Sequence, residues 1–593
     1  MPQPTVTKTS AWSLIRPYWF SEERWSARGL LALIVAMNLG IVYINVRINA
    51  WSADFFNALE ARNTAEFSPL LLLFTGLALA YIVLAVYALY FKQMLGFRWR
   101  RWLTAEYLKR WLHGNAFYRI ERDRLADNPD QRIAEDLNSL ATTTLALTLD
   151  LLSTVVTLGS FIFILWSVGG PLLVHVAGYS ATIPGYMVWA AAAYAVVGSL
   201  AMQAFGHRLV AVNYRQQQVE AHFRFGLVRL RENAEPIALY DGARAEAAHS
   251  ATLFGRIQDN WRMVMRYTKR LTLVNSLYSQ IAVVLPLALA APRYFAGAYS
   301  FGVLMQISRA FDTVSGAMSW FINSYGTLAE WRATVNRLTE LGEVLAAIPA
   351  SSTRGIRLRR GEGNALATHS LQLALPGGAA LLTVPDLHIE PGERWLLRGP
   401  SGVGKSTLLR ALAGLWDFGS GTVDLPKTRM LFVPQSSYLP LGSLAEALAY
   451  PGTPGEHTEA RVREALEAVG LQPLSDQLGD VAPWARRLSP GEQQRLAFAR
   501  VLLQKPEWLL LDEATSALDP AAERMLYTLL ADRLPATTVI SVGHRDALAE
   551  FHGQQLVLEQ PGAPQARGGP QNPSPVAPGL ALPTHKRLAD PSS

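Results

Sequence analysis

The residues with the clearest chemical meaning form a glycine-rich loop between a strand-like run and a helix-like run. The loop comprises Gly399, Pro400, Ser401, Gly402, Val403, Gly404, Lys405, Ser406 and Thr407. Glycines let the backbone wrap around a chain of phosphates, and the N-terminus of the following helix binds the anion. The lysine of such a loop reaches the terminal phosphates, and the next hydroxyl is a ligand for Mg²⁺. The pattern predicts a P-loop in which Lys405 and Ser406 bind a nucleoside triphosphate and its metal ion.

A second element of the same chemistry lies further along the chain. The strand-like run EWLLL at 507–511 ends in two carboxylates, Asp512 and Glu513. P-loop ATPases hold Mg²⁺ with an acidic residue near the phosphates and orient the attacking water with another side chain. We therefore predict that Asp512 binds Mg²⁺ and that Glu513 polarises the water.

Between these two elements, the run LSPGEQQR at 488–495 resembles the LSGGQ-like signature of the ABC (ATP-binding cassette) ATPases. Five elements of that family follow in its order along the chain. They are the P-loop, Gln435 in FVPQSSYLP, the signature at 488–492, LLLDEATSALD at 509–519, and His544 in SVGHRD. The resemblance implies an α/β P-loop NTPase cassette with ATP and Mg²⁺ as cofactors.

The resemblance also implies that two cassettes dock head to tail. Ser489 and Gly491 of one chain, with Glu492 beside them, would then face the γ-phosphate bound by the other chain. Two departures from the family pattern stand out. Pro490 replaces the usual first glycine of the signature, and 362–394 lacks the aromatic residue that commonly stacks on adenine.

Three further roles are implied by the family alone. Gln435 would lie between Mg²⁺ and the membrane domain, as a metal ligand and catalytic residue. Asp519 would communicate across the dimer, and His544 would contact the γ-phosphate and set the catalytic geometry.

The composition separates the chain into two parts. Of its 593 residues, 50% are hydrophobic and only 17% are charged, with a formal net charge of +7. The apolar excess lies almost entirely before residue 330. The absence of cysteine excludes disulfides, Cys-ligated metal sites and thiol nucleophiles.

Six apolar stretches approach or exceed the ~20 residues that a membrane-spanning helix needs. We place them near 29–46, 69–91, 141–167, 183–204, 271–291 and 300–325. Asp150 lies in the third stretch, and Arg309 and Asp312 interrupt the last. Lys and Arg number ten in 92–140 and eleven in 205–270, but two in 47–68 and none in 168–182. Because basic flanks stay on the cytoplasmic side, we expect both termini there.

These patterns predict five regions. They are a cytoplasmic N-terminal segment at 1–28 without a cleavable signal, an all-α six-helix membrane domain at 29–345, a linker at 346–364, an α/β ATPase domain at 365–560 and a disordered tail at 561–593. The fold class is an exporter-like membrane domain joined to an ABC cassette. The basic residues are explained by topology, so no nucleic-acid partner is expected.

A second resemblance lies in the membrane half. The segment NPDQRI at 128–133 is similar to the peroxisomal fatty-acyl-CoA transporters (ABC subfamily D) and to bacterial relatives of the SbmA/BacA type. ENAEPIALYDG at 232–242 is similar to the same family's EAA-like segment. Both segments fall at the tips of predicted cytoplasmic hairpins, where a membrane domain can respond to cassette closure.

The family implies ATP-driven transport across a bacterial cytoplasmic membrane by a homodimer, with a peptide, a cobalamin-like molecule or a fatty-acyl compound as substrate. Import and export both stay open. The alternative is a proton-coupled permease whose cassette is regulatory or idle, with Asp150 as a proton-relay group.

Overall fold

Long apolar runs become long helices in the first of two structural units. The computed structural model describes residues 11–176, 179–348, 355–360 and 363–559, and its units are Met1–Ile348 and Pro349–Ser593. The predicted tail lies outside the described residues, as do parts of the predicted N-terminal segment and linker. The helices of the first unit are α1 (Ala11–Trp19), α2 (Arg24–Glu60), α3 (Thr64–Leu112), α4 (Ala116–Asp123), α5 (Pro129–Gln131), α6 (Leu137–Gly169), α7 (Tyr186–Glu232), α8 (Ala234–Leu239), α9 (Ala243–Phe295), α10 (Phe301–Asn323) and α11 (Tyr325–Ala347).

Five helical stretches in the described part of this unit are long and apolar enough to cross a membrane: Arg24–Glu60, Thr64–Asp123, Pro129–Gly169, Tyr186–Glu232 and Ala243–Phe295. The predicted sixth span is the helix α10, which packs against α2, α6, α7 and α9. Its own composition falls short of the other five because it contains Arg309 and Asp312. Both residues lie on its exposed face, whereas Ile307, Phe311 and Val314 are buried.

The helices α7 and α9 have 47 and 53 residues, which correspond to about 70 and 80 Å. The hydrocarbon core of a bilayer is only about 30 Å thick. Both helices therefore extend well beyond the lipid, as the sequence predicts, and α8 forms the tip between them. A tip at residues 128–133 likewise lies between α3 and α6.

The connection between α6 and α7 is a hairpin that the sequence patterns did not indicate. Its strands are β1 (Leu172–Val176) and β2 (Tyr179–Ile183), and they pair antiparallel with Leu172 opposite Ile183.

The second unit alternates strands and helices. Its strands are β3 (Arg357–Arg360), β4 (Leu366–Ala374), β5 (Ala380–Thr383), β6 (His388–Ile389), β7 (Arg394–Arg398), β8 (Gly419–Leu425), β9 (Met430–Val433), β10 (Gly442–Ser443), β11 (Val481–Ala482), β12 (Trp508–Asp512), β13 (Thr538–Val542) and β14 (Gln554–Val557). Its helices are α12 (Lys405–Leu412), α13 (Leu444–Ala449), α14 (Glu459–Ala468), α15 (Trp484–Arg487), α16 (Pro490–Gln504) and α17 (Pro520–Arg533).

The main sheet has the strand order β14-β7-β13-β12-β9, and every pair in it is parallel. Its interior strand β12 is buried on both faces: Leu509 and Leu511 enter one apolar core, whereas Trp508 and Leu510 enter the other. Burial on both faces explains the continuous apolar run before Asp512. A second, mostly antiparallel sheet of order β3-β8-β4-β5 covers one side.

Candidate active site

The predicted catalytic residues follow the ends of four neighbouring parallel strands. The P-loop follows β7, Gln435 follows β9, Asp512 is the last residue of β12 with Glu513 directly after it, and His544 follows β13. Because these strands run parallel, their carboxyl ends meet at one edge of the sheet, where α/β proteins bind ligands. The sheet therefore brings together side chains that are far apart in the sequence.

The P-loop wraps around its own lysine. Gly402 and Gly404 have φ angles of +81° and +110°, which side chains other than glycine rarely adopt. Lys405 is 5% exposed, and its Nζ donates to the carbonyl oxygens of Gly399 at 2.9 Å and Pro400 at 3.0 Å. Burial lowers the pKa of Lys405. The ammonium thus lies inside the cradle that a phosphate chain would occupy.

The other residues of the loop range from fully buried to exposed. The Val403 side chain is fully buried in the core that contains β7, Ser401 is exposed, and Thr407 lies in the first turn of α12.

The predicted metal ligands touch each other. The Ser406 hydroxyl donates to Asp512 Oδ1 at 2.8 Å. Burial raises the pKa of Asp512, and the charge of Glu513 adds to this effect. A hydroxyl and a carboxylate beside a phosphate cradle are the oxygen donors that suit Mg²⁺, so the residues present fit this ion.

The Glu513 carboxylate is held from both sides. Its Oε2 accepts from Gln435 Nε2 at 3.1 Å, and its Oε1 lies 3.1 Å from His544 Nε2. The backbone of Glu513 is in the left-handed region, with φ of +49°. Strained backbone of this kind clusters at active sites. Three residues predicted separately from sequence therefore form one hydrogen-bonded group.

A buried ion pair that the sequence patterns did not reveal supports this group. Glu523, which is 3% exposed, accepts from Thr515 Oγ1 at 2.5 Å and from Arg545 Nη1 at 3.2 Å. Thr515 follows Glu513 by two residues, and Arg545 follows His544 directly. No local signal marks Glu523, because its partners come from other elements.

We expect Glu523→Gln to lower the free energy of unfolding of the cassette by about 1.5–3 kcal/mol, since it weakens hydrogen bonds of a buried charged group. Thermal unfolding of the full chain should show a melting temperature lower by about 2–4 °C for each kcal/mol. Glu550→Gln is the matched control, because its pair with Arg524 at 3.3 Å is 58% and 57% exposed and contributes about 0–1 kcal/mol. Equal losses in both variants would contradict the supporting role of Glu523.

The signature segment begins a helix. Ser489 is the N-cap of α16 and forms a capping box with Glu492, whose Oε2 accepts from the Ser489 backbone N–H at 2.8 Å. This bonding by Ser489 lowers the pKa of Glu492. Pro490 is the first helical residue, where the N–H has no partner within a helix and proline is favoured. The departure from the family's glycine is therefore compatible with the helix that the signature needs.

The signature helix also packs on the segment after Glu513. A Cβ on Gly491 would lie 3.3 Å from Leu518 Cδ2, and Asp519 caps α17 by accepting from the Ala522 N–H at 2.8 Å. Gln494, which the sequence patterns did not single out, donates to Ser516 Oγ at 3.2 Å and accepts from the Ala517 N–H at 2.9 Å. Within the described residues, none of the Ser489 hydrogen bonds reaches the P-loop of its own chain.

The side of the P-loop next to β5 is aliphatic. A Cβ on Gly404 would lie 3.3 Å from Leu381 Cδ2. The nearby turn is closed by the Leu375 N–H donating to the Ala379 carbonyl at 2.8 Å. Leu381 thus lies next to the P-loop, within the stretch 362–394 that lacks the family's aromatic residue.

Two family models match the chain. The model of ABC transporter transmembrane region 2 matches residues 14–295, and the ABC transporter model matches residues 382–516. The first match lies within the membrane unit and the second within the cassette.

Curated relatives match over nearly the full length. The chain is 33% identical to the inner membrane ABC transporter ATP-binding protein YddA of Escherichia coli, over 90% of this chain and 94% of that protein. It is 32% identical to the chloroplastic ABC transporter D family member 2 of Arabidopsis thaliana, over 94% and 88%. It is 26% identical to the human lysosomal cobalamin transporter ABCD4, over 90% and 92%.

A solved structure has the same fold. A bacterial Atm1-family ABC exporter with ATP bound matches with a TM-score of 0.70 at 18% identity, over 91% of this chain and 94% of that one. The exporter-like fold and the resemblance to subfamily D are thus confirmed. The chain belongs to the ABC transporter family, as a half-transporter that joins one helical membrane domain to one ATP-hydrolysing cassette.

Proposed function

We propose that this chain forms a homodimer that uses ATP hydrolysis to move an amphipathic, anionic substrate across a bacterial cytoplasmic membrane. ATP-driven transport is supported above all by the position of the Glu513 carboxylate, which lies between Gln435 and His544 and beside the Ser406–Asp512 pair. Such a complete arrangement is what hydrolysis requires.

Each residue of this arrangement has a defined task. Lys405 binds the β- and γ-phosphates of ATP, and Ser406 and Asp512 hold Mg²⁺. Mg²⁺, when bound, neutralises the charge that develops on the transferred phosphoryl group. Glu513 accepts the proton of the attacking water, with Gln435 and His544 orienting its carboxylate.

The homodimer is supported by the signature helix. The N-terminus of α16 at Ser489 is held by its capping box rather than by the P-loop of the same chain. A second copy would bring this helix N-terminus to a bound phosphate, which it can stabilise. One chain also has one membrane domain, and transporters of this fold alternate access between two.

The apolar part of the substrate is suggested by a cavity in the membrane unit. The cavity has a volume of about 580 Å³ and lies between α6, α7 and α10. Its lining is Leu158, Ala192, Ala195, Val196, Ser199, Leu200, Gln203 and Met318. Mostly apolar walls with two polar groups suit a ligand that is itself largely apolar.

The anionic part is suggested by the continuation of α7 and α9. Leu271 packs next to Gly206, and Asn260 donates to Gln216 Oε1 at 2.8 Å, so 204–216 runs alongside 260–272. These two stretches contain no Asp or Glu, and their cations are Arg208, Arg215, Arg262, Arg266, Lys269 and Arg270. Of these, Arg262 pairs with the adjacent Asp259 at 3.2 Å. A positive surface of this kind attracts anionic groups.

Transport by purified protein in liposomes tests the proposal. Acyl-CoAs, peptides and corrinoids are supplied in turn, and we expect ATP with Mg²⁺ to drive uptake of one acyl-CoA-like or otherwise anionic amphiphile. Chelation of Mg²⁺ with EDTA should stop this uptake.

Asp150 lies 3.5 Å from Lys92 Nζ, so an ion pair explains the presence of this carboxylate in the membrane unit. Asp150→Asn should therefore leave ATP-driven uptake in place.

The alternative function, a proton-coupled permease, predicts the opposite dependence of uptake on ATP hydrolysis and on the proton gradient. Uptake that survives Glu513→Gln but stops when a protonophore collapses the proton gradient would overturn the ATP-driven function. Uptake of neutral solutes alone would overturn the anionic substrate class while leaving the ATPase assignment in place.

A further inference from the structure

A single buried carboxylate joins two structural elements of the membrane unit, a turn after the first hairpin and the helix α11. Asp136, which is 7% exposed, ends a π-helical turn, Arg132–Asp136, that follows α5. Its Oδ2 accepts from Arg337 Nε at 2.8 Å, and its Oδ1 accepts from Arg337 Nη2 at 2.5 Å. Arg132 Nη1 donates to the same Oδ2 at 3.3 Å. Two guanidinium groups therefore share one acceptor.

The two arginines belong to different parts of the unit. Arg132 lies in the first hairpin tip, which we define as residues 128–133. Arg337 lies in α11, the last helix before the cassette in the chain. The Arg337 guanidinium is oriented further by Thr334, whose Oγ1 accepts from Nη2 at 3.2 Å. Asp136 is thus the common partner of the tip and the connecting helix.

Apolar packing flanks Asp136, whereas the Arg337 side chain is 37% exposed. Ile133 and Leu137, on either side of Asp136, belong to the same buried cluster as Val335 and Leu338 of α11. Hydrogen bonds between charged groups are stronger than neutral ones, and a low local dielectric strengthens them further. The bonds to Asp136 raise the pKa of Arg337, so the guanidinium stays charged.

The ion pair Arg110–Glu106 differs from Asp136–Arg337, because it is more exposed and does not join two helices. The pair Arg110–Glu106 lies within α3 with side chains 55% and 33% exposed, and such pairs contribute little. By contrast, Asp136 and Arg337 are 201 residues apart in the chain. The π-helical turn that places Asp136 is also a feature frequent at functional sites.

We infer that Asp136 is a positioning residue that ties the first hairpin tip to α11, so that a displacement of α11 moves the tip with it. The inference deepens the proposed function and rests on it, because it describes how cassette closure reaches the membrane domain. Asp136 contacts neither nucleotide nor substrate in this role. Its loss should uncouple the tip from the cassette while leaving hydrolysis in place.

The absence of cysteine permits a direct test in the full chain. Single exposed sites, Asp127→Cys in the loop before the tip or Lys427→Cys in the cassette, are spin-labelled in protein reconstituted in nanodiscs. The distance between the two copies is measured with and without a non-hydrolysable ATP analogue and Mg²⁺. In the parent protein, both distances should change on addition of nucleotide.

In Asp136→Asn, we expect the distance between the cassette labels to respond to nucleotide as in the parent. The ratio of moved to unmoved tips should fall by about two- to thirty-fold, which is the range of coupling changes measured for single mutations. ATP hydrolysis should stay near the parent rate. Arg337→Gln should give the same result, and the double variant should be no worse than either single one, because both remove one interaction.

Glu106→Gln is the matched control, since it removes an ion pair on α3 without touching α11. A tip that responds equally in the parent, Asp136→Asn and Arg337→Gln would overturn the inference alone. A parent whose cassette distance ignores nucleotide would overturn the proposed homodimer and, with it, the inference. Parallel loss of tip movement, hydrolysis and thermal stability in both variants would show a merely structural role and also overturn it.

Discussion

Glu513→Gln should reduce steady-state ATP hydrolysis by about 10²- to 10⁴-fold, the contribution typical of a general base. Glutamine has nearly the shape of glutamate and can still bond with Gln435 and His544, so the site should keep its geometry. It cannot accept a proton from the attacking water. Lys405, Ser406 and Asp512 are unchanged, so ATP should stay bound and the closed dimer should accumulate.

Steady-state assays measure the loss of hydrolysis, and nucleotide-binding assays measure the retention of ATP. The distance between spin labels at Lys427→Cys in the two copies measures the accumulation of the closed dimer. Glu507→Gln is the matched control, because Glu507 is exposed at the opposite end of the same strand. It should hydrolyse ATP at the parent rate. Parent-like hydrolysis in Glu513→Gln would show that another group activates the water.

Lys405→Ala should weaken ATP binding by about 10- to 150-fold, which corresponds to the 1.5–3 kcal/mol of a hydrogen bond to a charged group. The Lys405 ammonium lies in the loop, bonded to the carbonyl oxygens of Gly399 and Pro400. Alanine removes the charge that meets the phosphates, together with these two bonds to the loop backbone. Hydrolysis should be lost as a consequence of lost binding.

Binding of a fluorescent ATP analogue to the full chain, titrated in the presence of Mg²⁺, measures this effect. Lys427→Ala, at an exposed loop position of the same cassette, is the control for the loss of one positive charge. An affinity for ATP in Lys405→Ala that matches the control would refute the assignment of the P-loop lysine.

The cassette could be predicted from sequence because its information is local. The P-loop is a contiguous run between β7 and α12, and the apolar strand β12 leads directly into Asp512 and Glu513. Short runs of this kind constrain the backbone by themselves. The parallel sheet then follows from alternating strands and helices, and with it the meeting of the strand ends at one edge.

Features that depend on distant partners could not be predicted in the same way. In the second sheet, β4 pairs with β8, although β7 and α12 lie between these two strands in the sequence. No periodic pattern in the sequence indicates that pairing. Glu523 looks like an ordinary acidic residue in the first turn of a helix until Thr515 and Arg545 lie beside it. Side-chain pairing is set by the approach of elements rather than by spacing along one of them.

The membrane half shows the same division. Apolar length indicated the long helices, since a bilayer demands about 20 apolar residues for each span. The helix α10 was the exception in composition, because Arg309 and Asp312 take the face that its neighbours leave uncovered. The sequence placed Asp150 at membrane depth, but only packing brought Lys92 to it.

The chain's residue order thus specifies the ATPase chemistry, the long helices and the family, because motifs, apolar runs and strand ends are properties of contiguous segments. The tertiary structure decides which charges neutralise each other and which elements these contacts join. Asp136 is the clearest case: it lies beside a recognisable motif, yet its partner Arg337 is contributed by another helix. Such a contact exists only once folding has buried Asp136 and brought the Arg337 guanidinium to it, because a buried charge requires a partner.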